Sequence, residues 1–234
     1  MHNEIYKFIN DLEKNFPSDE IKISHFKKEP VPFSIIDNFL PKELFDHILI
    51  DIEKITEDYY IEFSREYKAK RNEARNFFQA PLLQTLSNGF NSSLFIYWLE
   101  KITCIEKLIP DPHLRGGGLN RVLANERLGL HTDFNWNDQL QLNRKVNLIL
   151  YLTPNWKSEW NGDLELWDKE AKTCLQKIQP KSNRLVFWNY EPWLVHGFSE
   201  PLKNPDNISR DSLAHFYYTS NATWEHTPSR SKFL

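Results

Sequence analysis

The chain has 234 residues, enough to bury a hydrophobic core, and its hydrophobic fraction of 40% is that of a folded protein. The formal net charge of −3 provides no electrostatic reason to expect a nucleic acid as partner. Without a bilayer-length apolar run, a signal-peptide core or zinc-type cysteine spacing, we expect a cytoplasmic protein away from membranes, with Cys104 and Cys174 as reduced thiols.

The first half of the chain is predicted to be mainly helical. Apolar residues recur at helical spacing near the N-terminus, at Ile5, Phe8, Ile9, Leu12 and Phe16. A second helix is predicted over residues 41–55, opened by Pro41, and one or two more over residues 81–109. Between the first two helices, "PFSIIDNF" (residues 32–39) predicts a short strand.

A polar, basic stretch, "YYIEFSREYKAKRNEARNFFQAP", separates the second helix from the next ones. Its composition favours a solvated loop. The alternative is that residues 59–75 form a mobile lid over a site, since such lids are commonly loops on a rigid scaffold.

The second half of the chain changes to short strand-like runs. They are separated by turn signals such as "TPNW", "NG" and "PKSN". Helices followed by strands predict an α+β, mainly β, architecture in which helices pack against one face of a sandwich or barrel. The runs are "GLNRVLANERLGLH", "RKVNLILYLT", "GDLELWD", "NRLVFWN", "WLVHGF" and "RDSLAHFYYT".

A histidine and a carboxylate stand two residues apart in "LGLHTDFNW", residues 128–136. Such a pair alone is more often a surface turn than a metal site. In an extended chain, however, His131 and Asp133 point to the same side. A facial Fe(II) site needs two imidazoles and one carboxylate, so a second histidine has to come from a distant strand.

His196 is the preferred second histidine, because it follows a strand, a turn and a second apolar run that fit the same β core. His215 lies on the strand that Arg210 opens, five residues further on. If Arg210 points inward, alternation places His215 on the outer face. The other histidines are interpreted as ordinary solvated, loop or half-buried side chains: His2, His25, His47, His113 and His226.

Polar side chains on two strands predict an anion-binding inner face. The fork of Arg210 can bind a dicarboxylate through two charge-assisted hydrogen bonds. In "VNLILYL", Asn147, Ile149 and Tyr151 share one face, while the other face is wholly apolar. This pattern fits a barrel wall that is packed by helices outside and lines a polar site inside.

The motifs together resemble the Fe(II)- and 2-oxoglutarate-dependent dioxygenases, within them the prolyl 4-hydroxylase-like group. The series "HTD", "RKVNLILYLTPNWKSEWNGDLELWD", "PKSNRLVFWN", "VHGF" and "RDSLAHFYYT" has the family's order. The resemblance implies a double-stranded β-helix, a jelly-roll or cupin-like barrel buttressed by N-terminal helices. It implies a single domain over 1–234, with helical support and N-terminal strands in 1–112, the β-helix in 113–220 and a tail in 221–234.

The resemblance also implies the roles of individual residues. His131, Asp133 and His196 match the iron ligands, which are also the catalytic centre. Arg210, Tyr151 and Asn147 are expected to contact 2-oxoglutarate. Arg144 matches a position near the substrate entrance, and Phe134 and Trp136 are further substrate candidates. Asn161-Gly162 replaces the Gly-Gly of many relatives, in a turn that is expected to tolerate the change.

The implied activity is hydroxylation of an unactivated C–H bond, as on a proline of a peptide or protein, with Fe(II), 2-oxoglutarate and O2, and with ascorbate in support. Asp133 favours hydroxylation, because halogenating relatives usually lack this carboxylate. Three alternatives stay open: a hydroxylase of a free amino acid, sugar or other small metabolite, a cupin-like metalloenzyme without 2-oxoglutarate, and a non-catalytic β-barrel binding module. The oligomeric state is not predicted.

Overall fold

The computed structural model describes residues 1–65, 68–220 and 228–234. Among these residues, none of the helices has the length and apolar character that crossing a membrane requires. The predicted first helix is interrupted at Asp11, and the segment 81–109 forms two helices. The described α-helices are α1 (His2–Asn10), α2 (Leu12–Asn15), α3 (Ser18–His25), α4 (Lys42–Ile52), α5 (Pro81–Phe90) and α6 (Ser93–Thr103).

Fourteen described strands form one sheet that curls into a half-barrel. Along its main path the order is β1-β11-β8-β13-β5-β3-β6-β12-β9-β10, and each strand is antiparallel to its neighbours on this path. The strands are β1 (Phe33–Ile36), β2 (Ile61–Arg65), β3 (Ala69–Ala74), β4 (Ile109–Pro110), β5 (Gly118–Val122), β6 (Leu128–Thr132), β7 (Trp136–Asn137), β8 (Leu142–Tyr151), β9 (Leu164–Trp167), β10 (Cys174–Ile178), β11 (Leu185–Asn189), β12 (Val195–Phe198), β13 (Arg210–Thr219) and β14 (Lys232–Phe233).

Side chains of β8 point alternately to the two faces of the sheet: one face packs against the helices, and the other lines a cavity. Val146, Leu148 and Leu150 are fully buried in the main core, together with side chains of α1, α4, α5 and α6. On the opposite face, Asn147 and Ile149 line a cavity inside the half-barrel. The predicted two-faced strand is therefore confirmed, and the burial of its apolar face holds the helices against the sheet.

The basic stretch after α4 is a β-hairpin, so the prediction of a solvated loop is wrong. Strand β2 pairs with β3, with Phe63 opposite Arg71, and β3 also pairs with β5. The charged side chains of β2 are tolerated because this edge strand is largely exposed. The lid stays a prediction: substrate should slow amide hydrogen exchange in residues 61–65. Residues 66 and 67 lie outside the described part.

Several strands escaped prediction because they are short or polar. The run "GLNRVLANERLGLH" is two strands, β5 and β6, joined by a turn. Strands β4, β7 and β10 were not expected. In the C-terminal tail, β14 pairs with β6, which places Phe233 opposite His131. Residues 221–227 of the predicted tail, including His226, lie outside the described residues.

His215 points outward into the helical core, as its alternation with Arg210 predicts. Nε2 of His215 lies 3.2 Å from the hydroxyl of Ser87, and the ring packs edge-on against Phe90. Burial lowers the pKa of His215 to about 3. The imidazole is thus neutral in the folded state at neutral pH.

Protonation of His215 should make the folded state pH-sensitive. Between about pH 3 and pH 6.5 the unfolded chain binds a proton here that the folded chain does not, so stability falls as the pH is lowered. One proton corresponds to a slope of at most about 1.4 kcal/mol per pH unit. We expect His215→Gln to flatten the slope of the unfolding free energy measured with urea at several pH values.

The matched control is His47→Gln, at a histidine on α4 whose Nδ1 bonds to the carbonyl oxygen of Glu43 in the same helix. The His47→Gln variant should show the same dependence of the unfolding free energy on pH as the native protein. An identical slope in the His215 and His47 variants would contradict the assignment.

Candidate metal centre and its cavity

Two neighbouring strands bring the three predicted ligands together. Strands β6 and β12 pair so that His131 lies opposite His196, and Asp133 follows the end of β6. A Cβ at Gly197 would lie 2.6 Å from the carbonyl oxygen of Gly129, and the φ of Gly197 is 147°. Glycine is therefore required here, because only its lack of a side chain lets the two strands approach this closely.

The ligand atoms of the triad face one another. One ligand atom from each of the three residues can be chosen so that all lie within 4.8 Å of each other. Nε2 of His131 is 3.7 Å from Oδ1 of Asp133, and Nε2 of His196 is 3.2 Å from its Oδ2. Two imidazole nitrogens and one carboxylate on one side of a point form the donor set of a facial divalent-metal site.

Backbone carbonyls set the tautomers of both histidines. Nδ1 of His131 is 2.9 Å from the oxygen of Gly129, and Nδ1 of His196 is 3.3 Å from that of Leu194. Because a carbonyl oxygen only accepts, each Nδ1 must donate, and each Nε2 keeps its lone pair for a metal.

The charge state of the triad also fits metal binding. Burial, followed by the neighbouring charge of His196, lowers the pKa of His131, which favours the neutral imidazole that a metal needs. Burial alone would raise the pKa of Asp133, but the charge of Arg144 and the contacts with both histidines hold it well below its usual range.

Asp133 is held by two side chains of β8. The Arg144 guanidinium lies 2.9 Å from Oδ2 of Asp133, and Nδ2 of Asn147 donates to the same oxygen at 2.9 Å. Nε of Arg144 in turn donates to Oδ1 of Asn147 at 2.6 Å. Asn147 thus contacts a metal ligand as well as lining the cavity, and in this structure its bonds serve to orient Asp133.

Arg144 is buried beside the triad, which is deeper than the expected position at a substrate entrance. It is 2% exposed, and its guanidinium lies 3.5 Å from the ring centroid of Phe216. The cause is a bulge: Tyr217 pairs with Val146 and Tyr218 with Arg144, so Lys145 is skipped. The extra residue reverses the alternation and turns Arg144 toward the ligands.

Replacing Asn147 with alanine should weaken divalent-metal binding about 10- to 100-fold, as loss of an outer-shell partner typically does. The measurement is calorimetric titration of Mn(II) into the metal-free protein. Asn120→Ala is the matched control, since Asn120 is also a buried, cavity-lining asparagine but donates to the carbonyl of Gly118. Equal metal affinities in the two variants would argue against an orienting role of Asn147.

An unneutralised cation lies further inside the cavity. Arg210 is 6% exposed, its Nε donates to the carbonyl of Gly162 at 2.9 Å, and its guanidinium packs between the rings of Phe198 and Tyr151. No described carboxylate lies within ion-pair distance of Arg210. The buried hydroxyl of Tyr151 likewise has no hydrogen-bond partner among the described residues. Arg210 lines the cavity and could hold a carboxylate there, whereas Tyr151 is not among the cavity-lining residues of the described chain.

The triad and Arg210 line one cavity of about 430 Å³. Its apolar walls include Ile149, Leu164 and Trp188, and the Trp188 ring packs edge-on against His196 at 5.5 Å. Phe134 lines this cavity, in agreement with its predicted place. Trp136 does not: it lies on β7, outside the cavity-lining residues of the described chain.

The other described histidines are held elsewhere. His2 bonds to Thr85, His25 to Ser34 and Asn189, and His113 is exposed in the loop before β5. None of them joins the cluster of metal-binding side chains found in the described chain. The choice of His196 over these histidines is consistent with the geometry.

Three features of the site were missing from the sequence interpretation. The ring of Phe233 stacks on His131 at 4.8 Å, a contact made by the C-terminal strand. The carbonyl of Gly162 orients Arg210. Glu73 of the hairpin is buried in the cavity wall between Arg71 and Arg75. Gly162 belongs to the "NG" turn signal, but no local signal marks Phe233 or Glu73.

Comparisons with known proteins agree with this geometry. Residues 117–218 match the family model of the 2OG-Fe(II) oxygenase superfamily. Prolyl 3-hydroxylase OGFOD1 of Mus musculus is 25% identical over 199 residues, which cover 83% of this chain and 34% of that protein. The chain thus spans about a third of the length of this relative.

Solved structures share the fold. A prolyl hydroxylase of Trichoplax adhaerens, in complex with a peptide fragment of the hypoxia inducible factor oxygen degradation domain, is 18% identical with a TM-score of 0.64. The match covers 89% of this chain and 92% of that one. A Pseudomonas putida prolyl-4-hydroxylase has a TM-score of 0.60 at 15% identity, covering 86% and 99%. The predicted jelly-roll barrel with supporting helices is confirmed.

Proposed function

Because residues 117–218 match the family model of the 2OG-Fe(II) oxygenase superfamily, we propose that the protein is a dioxygenase that hydroxylates a proline of a peptide or protein. The observation that carries this proposal is the triad beside an unneutralised, buried Arg210 in one cavity. A metal site alone would fit many enzymes, whereas a metal site with a carboxylate receptor fits this chemistry.

The residues of the cavity fit both iron and 2-oxoglutarate. His131, Asp133 and His196 offer two neutral nitrogens and one carboxylate, which suit Fe(II) and leave its other positions open. Arg210 suits the far carboxylate of 2-oxoglutarate, and Tyr151, whose ring lies beside the Arg210 guanidinium, is proposed to support it. This second fit disfavours a metalloenzyme that works without the cosubstrate.

Iron with 2-oxoglutarate supplies the oxidative chemistry: O2 and 2-oxoglutarate give succinate and carbon dioxide, and the second oxygen atom is inserted into a substrate C–H bond. The protein supplies binding and orientation. Asn147 and Arg144 hold Oδ2 of Asp133, so they would fix the orientation of the carboxylate toward a metal bound by the triad. The apolar side chains of Ile149, Leu164 and Trp188 would reduce the number of polar groups around the reacting carbon.

A peptide substrate is supported by two considerations. The cavity is open beside a β-hairpin whose Phe63, Arg65 and Arg71 line it, which provides room for an extended chain. Relatives of this fold include the prolyl hydroxylase with a bound peptide fragment. Hydroxylation of a free amino acid, a sugar or another small metabolite is the alternative, and a non-catalytic binding module is disfavoured by the complete triad.

The proposal is tested by incubating the protein with Fe(II), 2-oxoglutarate and a panel of proline-containing peptides and small metabolites. Mass spectrometry should detect the gain of one oxygen atom on a peptide, with one succinate released per product. Hydrolysis and comparison with 3- and 4-hydroxyproline standards identify the carbon. Oxygen gain on a small metabolite alone would support the alternative, and the absence of succinate with every substrate would exclude the dioxygenase.

The proposal extends to the surroundings of the enzyme. Cys104 and Cys174 are free thiols, which is consistent with a reducing compartment such as the cytoplasm. Ascorbate is proposed as a supporting reductant for the iron. Activity should then fall over repeated turnovers when ascorbate is left out, and it should recover when fresh Fe(II) and ascorbate are added.

A further inference from the structure

The mouth of the cavity is strongly basic, although the chain as a whole is slightly acidic. Of the seven arginines that line the cavity, Arg144 and Arg210 are buried at its floor. The other five are partly or fully exposed, and they come from the β2–β3 hairpin, the loop before β5 and the C-terminal segment. We refer to these five as the rim arginines: Arg65, Arg71, Arg75, Arg115 and Arg230.

The rim arginines are only partly neutralised. Glu73 is the sole described cavity-lining carboxylate besides Asp133, and it binds both Arg71 and Arg75. Arg115 pairs with Asp138 at the surface, at 3.0 Å. Among the described residues, five guanidinium groups thus face two carboxylates, an excess of three positive charges in this part of the mouth.

The hairpin arginines are held in place rather than free to move into solvent. Burial alone would raise the pKa of Glu73, but Arg71 and Arg75 keep it below its usual value, so Glu73 is an anion between them. Arg71 also lies over the ring of Phe63 at 4.7 Å, and Arg65 lies over the same ring at 5.2 Å. Pre-ordered cations of this kind lose little side-chain entropy when an anion binds.

We propose that the substrate is an acidic peptide, in which carboxylates on both sides of the target residue contact the rim arginines. The inference rests on the proposed function. A small acid needs one or two such contacts, whereas cations on three separate segments suit a ligand with several carboxylates.

The aromatic residues at the mouth favour a peptide over a single-stranded nucleic acid. Base recognition uses open aromatic faces. Here the guanidinium groups of Arg65 and Arg71 lie over the ring of Phe63. Arg144 lies over the ring of Phe134, and the ring of Phe233 stacks on that of His131. Arg115 also lies over Phe134 at 5.7 Å, and Phe63 packs against Phe233 at 6.1 Å, so each of the three rings already contacts at least two other side chains.

The experiment compares three versions of one proline peptide, flanked by glutamate, glutamine or lysine. Binding to the protein loaded with Mn(II) and 2-oxoglutarate is followed by fluorescence anisotropy, which requires no turnover. The glutamate peptide should bind about tenfold or more tightly than the lysine peptide. This preference should shrink at high salt, because exposed charges are screened.

Reversing the charge of two rim arginines should remove the preference for the glutamate peptide. In a variant that combines Arg65→Glu with Arg230→Glu, we expect affinity for the glutamate peptide to fall roughly tenfold, since exposed pairs contribute modestly. Combined Lys7→Glu and Lys14→Glu, on the exposed surfaces of α1 and α2, changes the net charge by the same amount and should retain the preference.

Two results would overturn the inference: equal affinity for the three peptides, or salt-sensitive binding of a short single-stranded RNA without discrimination among the peptides. Failure of the proposed function looks different. In that case the wild-type protein would not bind 2-oxoglutarate with Fe(II), as judged by the charge-transfer absorption of an anaerobic mixture.

Discussion

His196→Ala should lose iron binding and nearly all hydroxylation. The substitution removes one of the two imidazoles that face Asp133. In the native protein, Nε2 of His196 lies 3.2 Å from Oδ2 of that carboxylate. The loss should exceed the roughly 10- to 100-fold effect of removing an outer-shell partner, because a direct ligand is lost. The measurements are anaerobic titration with Fe(II), repeated with Mn(II) or Ni(II) as inert substitutes, and succinate release.

The controls for His196→Ala separate ligation from folding. His47→Ala alters a histidine on α4 that bonds to the Glu43 carbonyl, and it should retain one metal equivalent. His215→Ala should destabilise the core, yet the protein that remains folded should bind metal normally. Full turnover in His196→Ala, combined with complete loss of metal in folded His215→Ala, would show that the second imidazole is misassigned.

Arg210→Ala should weaken 2-oxoglutarate binding roughly 10- to 100-fold while leaving iron in place. A charge-assisted hydrogen bond contributes about 1.5–3 kcal/mol, and no other described cation stacks on Tyr151 as Arg210 does. Arg210→Lys should recover only part of the affinity, since lysine keeps the charge but lacks the planar fork. The titration is anaerobic, with Fe(II)-loaded protein, and follows the metal-to-ligand absorption band.

The ligand itself provides the control for this prediction. A 2-oxo acid without the distal carboxylate, such as pyruvate, should bind the native protein and Arg210→Ala with similar, weak affinity. Asp133→Ala should show the opposite pattern, with loss of iron as the primary effect. If 2-oxoglutarate bound Arg210→Ala with unchanged affinity, its distal carboxylate would have to be bound by another cavity arginine.

Regular alternation explains why much of the site was predictable from sequence. His131 and Asp133 are two residues apart at a strand end, so their common direction is a local property. The same reasoning placed His215 outside and Arg210 inside, and the structure agrees for both. The third candidate ligand, His196, was predicted because it lies on a later strand of the same β core.

Interruptions of the alternation explain what was not predictable. The bulge at Lys145 turns Arg144 toward Asp133. A bulge depends on how β8 pairs with β13, and the sequence around Arg144 contains no information about that pairing. The β2–β3 hairpin was taken for a loop because an exposed edge strand can be polar on both faces.

The amino-acid sequence by itself determined the helical first half, most strands of the barrel and the choice of three candidate metal ligands, because each depends largely on local spacing. Only the tertiary structure decided which groups surround those ligands. Phe233 reaches His131 because β14 pairs with β6, about a hundred residues away in the chain, and Glu73 is buried because β3 pairs with β5. Such contacts depend on strand register between distant segments, which local patterns do not encode.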